Sequence, residues 1–93
     1  MDVTIITGAS EGIGAETARQ IARRDRANAA LVLAARNVEK LENLAAELRQ
    51  LGSSVLVVPT DVKVRAACIA LIDKTVSAFG RIDTLIVNAV MSA

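Results

Sequence analysis

The sequence contains no tryptophan, tyrosine or histidine, and only one phenylalanine, one cysteine and one proline in 93 residues. Without tyrosine and histidine, the chain lacks the side chains most often used to move protons near neutral pH, and no catalytic residue is expected among those present. Lone Cys68 cannot form an internal disulfide, and among Ala66, Ala67, Ile69 and Ala70 it reads as a small packed thiol rather than a nucleophile. Neither charge sign is in excess: 11 Lys and Arg stand against 10 Asp and Glu, and they are scattered. That excludes the footprint of a nucleic-acid or anionic-membrane binder. No apolar run reaches the roughly 18 residues of a spanning helix, no leader pattern opens the chain, and no metal-ligand cluster is visible. The expectation is a soluble, cytoplasmic protein.

What the sequence does hold is aliphatic: 53% of residues are hydrophobic, almost all Ala, Val, Leu and Ile, which suits helices packed on a buried sheet. One domain over residues 1–93 is expected. Residues 3–7 form a β-branched run without polar alternation, a strand covered on both faces. Ile13, Ala18, Ile21 and Ala22 then fall at helical spacing, predicting a helix over about 12–24. A second buried strand, 31–35, precedes Asn37, a good N-cap, and a helix carrying Leu41, Leu44, Leu48 and Leu51 on one face, with Gly52 at its end. A third strand, 55–58, closes at Pro59. A third helix over about 64–79 is expected to bury Ile69, Ile72, Val76 and Phe79 before Gly80, and a fourth strand covers 85–88.

This β-α-β-α-β-α-β order implies an α/β fold, a Rossmann-like doubly wound parallel sheet with strand order 3-2-1-4. In such a sheet the ligand crevice lies beyond the carboxyl end of the first strand. There the chain reads "TGASEGIG", residues 7–14, with glycines at 8, 12 and 14. Gly8 permits the strand exit, Gly12 removes a Cβ that would block a phosphate, and Gly14 lets the helix pack closely on the sheet. The spacing is G-x-x-x-G-x-G, and no Lys follows as in a nucleoside triphosphatase loop. A glycine-rich turn without a ligand is the plain alternative; the preceding buried strand and following helix favour a phosphate site.

"TGASEGIG" and "DTLIVNAV", residues 83–90, together with "AAR" after the second strand and "TDV" after the third, resemble the short-chain dehydrogenase/reductase family along the whole chain. The resemblance implies that Gly8, Gly12, Ile13 and Gly14 hold a pyrophosphate. It further implies that Asp61 reaches the adenine amino group, that the Val62 backbone reads the ring, and that Asn88 and Ala89 border the cofactor ribose. Where an acidic residue would take the ribose hydroxyls of NAD, this sequence has Ala34, Ala35 and Arg36. A guanidinium matches a 2′-phosphate, with Ser10 and Asn37 adding hydrogen bonds, so NADP(H) is expected rather than NAD(H). A solvated Arg36 is the other reading, and Glu11 would oppose a phosphate if it pointed inward.

The family reaction is hydride transfer between the nicotinamide and a carbonyl or alcohol, using Tyr, Lys and Ser that this chain does not present as a set. Lys40, Lys63 and Lys74 read as solvated surface lysines. The chain is expected to be the nucleotide-binding half, ending before the catalytic segment. Val87 and Val90 stand where the family has Asn and Gly, and a β-branched residue at 90 adds bulk on the nicotinamide side. The fourth strand should leave an apolar edge that pairs with a second copy or a complementing chain. Two other readings remain open: an interaction protein that uses this edge and has lost nucleotide binding, and a flavodoxin-like or receiver-type domain, for which only Asp61 is suitably placed.

Overall fold

Residues 1–88 are described by a computed structural model. Strands β1 (Asp2–Thr7), β2 (Ala29–Ala35), β3 (Ser54–Pro59) and β4 (Thr84–Ile86) form one sheet in the order β3-β2-β1-β4. Every pairing is parallel, with Ile5 opposite Val32 on one side and Leu85 on the other. Helices α1 (Gly12–Asp25), α2 (Val38–Gln50) and α3 (Arg65–Phe79) make the crossovers, and a short 3-10 turn (Arg26–Asn28) links α1 to β2. The expected fold class and strand order are therefore found.

The central strands are buried on both faces because helices lie on both. Ile6, Leu31 and Leu33 point to α1 and α2, where Ala18, Ala22, Leu41, Leu44 and Leu48 meet them. Val3, Ile5, Ala30 and Val32 point the other way, toward Leu71 of α3. Small alanines on α1 bring that helix close to the sheet. Local signals set the helix ends: the Asn37 side chain accepts the Lys40 N–H at 3.1 Å, and Gly80 closes α3 in the left-handed conformation at φ +77°.

Two packing expectations are corrected. Ile69, Ile72 and Val76 are exposed, at 52%, 38% and 47%; α3 instead turns Leu71 and Thr75 to the sheet, with Phe79 half-buried behind them. Thr75 is admitted because its hydroxyl donates to the Leu71 carbonyl at 2.8 Å, leaving no unsatisfied polar atom. Ile13 likewise leaves the buried stripe of α1 and stands 77% exposed at the helix entrance. There it lines the cleft at the strand ends, while Gly14 and Ala15 of the same turn are buried.

Candidate functional site

The carboxyl ends of all four strands converge on one cleft of about 420 Å³. β1 ends at Thr7, and Gly8 turns the chain at φ +62°, a region that costs an L side chain but not glycine. The Ala9 N–H then donates to the Ala34 carbonyl at 3.2 Å, tying the turn to β2. From β3, the Thr60 N–H reaches the Ala35 carbonyl at 2.8 Å. Beyond it Asp61 forms a turn of its own, its carboxylate accepting the Lys63 N–H at 3.0 Å. From β4, Asn88 donates its N–H to the Thr7 hydroxyl at 3.0 Å and its side-chain amide to the Gly8 carbonyl at 3.5 Å.

Nine of the expected site residues line this cleft: Gly8, Ser10, Gly12, Ile13, Arg36, Asn37, Asp61, Val62 and Asn88. Gly14 does not. It is buried behind the loop, where an added Cβ would strike the Gly8 carbonyl and come within 2.8 Å of the Asn88 amide nitrogen. Its close packing on the strand end is as expected, but it has no face on the cleft. Ala89 and Val90 lie outside the described residues. Gly12, at φ +64° on the cleft wall, has nothing within 4 Å of the place a Cβ would take, so that direction is open space.

The opening of α1 is left free for an anion. Its N-cap residue, Glu11, makes no side-chain cap bond, and no acidic residue sits in the first turn. The N–H groups there, and the positive end of the helix dipole, are available to a ligand. Glu11 turns instead to Lys40 of α2, at 2.6 Å, and the bond and charge of that ammonium hold its carboxyl below the usual carboxylate range. Lys40 is exposed, as expected, and its ammonium is engaged in this pair. Arg36 is exposed at the end of β2, and none of the ion pairs among the described residues uses it. The cleft wall carries two cations, Arg36 and Lys63, and two carboxylates, Glu11 and Asp61.

A supporting contact lies at the other end of β4, on the residue that opens the "DTLIVNAV" segment. The Asp83 carboxylate accepts the Val3 N–H at 2.8 Å and is gripped by Arg81, while the Asp83 N–H donates to the Val3 carbonyl at 2.9 Å. The Arg81 hydrogen bonds, then the Val3 N–H, hold its carboxyl below the ordinary aspartate range. These contacts fasten a three-residue strand whose other end carries Asn88 into the site. The sequence marked Asp83 as the start of that segment but gave no sign of its pairing with Val3 and Arg81. Among the described residues there is no group of side chains able to hold a metal ion, and no helix long and apolar enough to cross a membrane.

Comparison with known proteins agrees with this architecture. A family model described as short chain dehydrogenase matches residues 2–93. The 11-beta-hydroxysteroid dehydrogenase A of Sesamum indicum is 46% identical over 88 residues, which is 94% of this chain and 24% of that protein. Among solved structures, the L-sorbose reductase of Gluconobacter frateurii, complexed with NADPH and L-sorbose, superposes with a TM-score of 0.90 at 35% identity, covering 99% of this chain and 34% of that one. An NAD+-bound xylitol dehydrogenase gives 0.83 at 34% identity, over 90% of this chain and 31% of that one. The chain spans about a quarter of the length of the curated relatives it matches. A parallel 3-2-1-4 sheet, a glycine turn braced by the end of β4, and a family match along nearly the whole sequence together place this chain in the short chain dehydrogenase family.

Proposed function

We propose that residues 1–93 act as one nucleotide-binding half-domain that holds a nicotinamide dinucleotide in this cleft, NADP(H) in preference to NAD(H). The pyrophosphate lies against Gly8, Gly12 and Ile13, where free N–H groups and a bare backbone suit a diphosphate, and Gly14 lets the helix come close enough. Asp61 and the backbone of Val62 take the adenine, and Asn88 with Ala89 borders the ribose on the nicotinamide side. Relatives solved with NADPH and with NAD+ support the dinucleotide but leave the choice between the two cofactors to the residues of this chain.

The observation that carries the choice is Arg36. It stands exposed on the cleft at the end of β2, outside every ion pair among the described residues, with alanines where a carboxylate would repel a 2′-phosphate. Ser10 and Asn37 line the same cleft. When bound, the nicotinamide supplies hydride transfer with a carbonyl or alcohol; the residues of this chain bind and orient the adenosine side, and a chain without tyrosine is not expected to turn over substrate alone. Titration calorimetry tests the reading. NADPH should bind more tightly than NADH, and Arg36→Ala should weaken NADPH about tenfold while changing NADH little, as for loss of a charge-assisted hydrogen bond. Absence of binding by either nucleotide to the folded chain would overturn it.

A second reading, binding to another protein chain, rests on the apolar surface beside β4. Leu85 and Val87 are 50% and 68% exposed, and among the described residues β4 pairs only with β1. An unpaired apolar edge favours strand addition by a second copy. Size-exclusion chromatography with light scattering should show dimers whose fraction rises with concentration; a monomer at all concentrations would remove this reading.

A further inference from the structure

We propose that Lys40 is a positioning residue for the nucleotide site, holding Glu11 away from the anion seat at the opening of α1. The inference rests on the dinucleotide reading above. Glu11 occupies the N-cap position of α1 and lines the cleft, so its carboxylate stands beside the seat that a phosphate would use. Left to itself, it would be drawn to the same free N–H groups and would compete with the ligand. Instead it makes no cap bond and sits 2.6 Å from the Lys40 ammonium, reaching from the glycine loop across to α2.

The position of Lys40 is otherwise unfavourable. It lies in the first turn of α2, three residues after the Asn37 cap that binds its N–H, where the helix dipole disfavours a cation. A cation placed against the local preference, with its charge used to engage a carboxylate on the cleft wall, fits a role in the site better than one in the helix. Arg36 lines the same cleft and makes no part of this pair. The two basic residues therefore have separate tasks. Arg36 reads the 2′-phosphate, and Lys40 clears the pyrophosphate seat that both cofactors share.

The test measures NADPH and NADH affinity in the full chain for Lys40→Gln, Glu11→Gln and the double variant. Lys40→Gln should weaken both nucleotides about fivefold, the upper range for an exposed ion pair, without changing the ratio between them. In the Glu11→Gln background the same change should have almost no effect, and Lys40→Arg should restore wild-type binding. An equal loss with and without Glu11 would make Lys40 a direct cation for the ligand and overturn the proposal. So would wild-type binding by Lys40→Gln, or a fall in its melting temperature that Glu11→Gln does not reverse. If the wild-type chain binds neither nucleotide, the dinucleotide reading fails and this proposal fails with it; if the wild type binds but Glu11 and Lys40 are uncoupled, this proposal alone fails.

Discussion

Gly8→Ala is expected to destabilise the chain by about 3 kcal/mol, combining a positive-φ penalty with a backbone collision, and so to lower the melting temperature by roughly 15 °C. Gly8 sits at φ +62°, and a Cβ there would run into the carbonyl of Asn88. Neither partner can yield easily. Asn88 is held by its own N–H on Thr7, and Gly8 by the turn that connects β1 to β2 through Ala9. Thermal unfolding followed by circular dichroism is the measurement, and a melting temperature within a few degrees of wild type would show that the loop and β4 do not pack as described.

Gly12→Val is expected to do the reverse: abolish nucleotide binding while leaving the fold in place. The site has the same sign of φ, +64°, so a β-branched residue costs about 1–2 kcal/mol of backbone strain. Nothing lies within 4 Å of the added carbon, so no packing term joins it. The isopropyl group would fill the space into which a diphosphate must descend to reach the N–H groups of α1. Calorimetry with NADPH on a variant shown to be folded by circular dichroism separates the two glycines. Retained affinity would mean that the cleft over Gly12 is not the phosphate seat.

The sheet order and the cleft were legible because each rested on residues that local physics constrains. β-branched runs, Asn37 at a cap, Gly52 and Gly80 at helix ends, and glycines after the first strand all report on their own backbone. The buried side of α3 was not legible. Its residues carry two stripes: Ile69, Ile72 and Val76 form the more apolar one, while Leu71, Thr75 and Phe79 form the one that meets the sheet. Periodicity counts hydrophobicity and cannot see that a threonine satisfied by its own helix packs as well as a valine. Glu11 and Lys40 were obscure for a related reason. They are 29 positions apart, and only the crossover from α1 through β2 brings the first turn of α2 beside the glycine loop. Asp83 is a stronger case, because its partner Val3 lies 80 positions away.

The brace from Asn88 onto Thr7 and Gly8 also spans 80 positions or more. In a sheet ordered 3-2-1-4, β1 waits for a neighbour that is made last among the described strands. Closing so long a loop is entropically slow, and chains emerge from the ribosome N-terminus first. A nascent chain that has not yet reached Asn88 lacks this brace for the Gly8 carbonyl. The order of synthesis and the order of completion therefore run in opposite directions: the glycine loop is translated 80 positions ahead of the residue that gives it its final support.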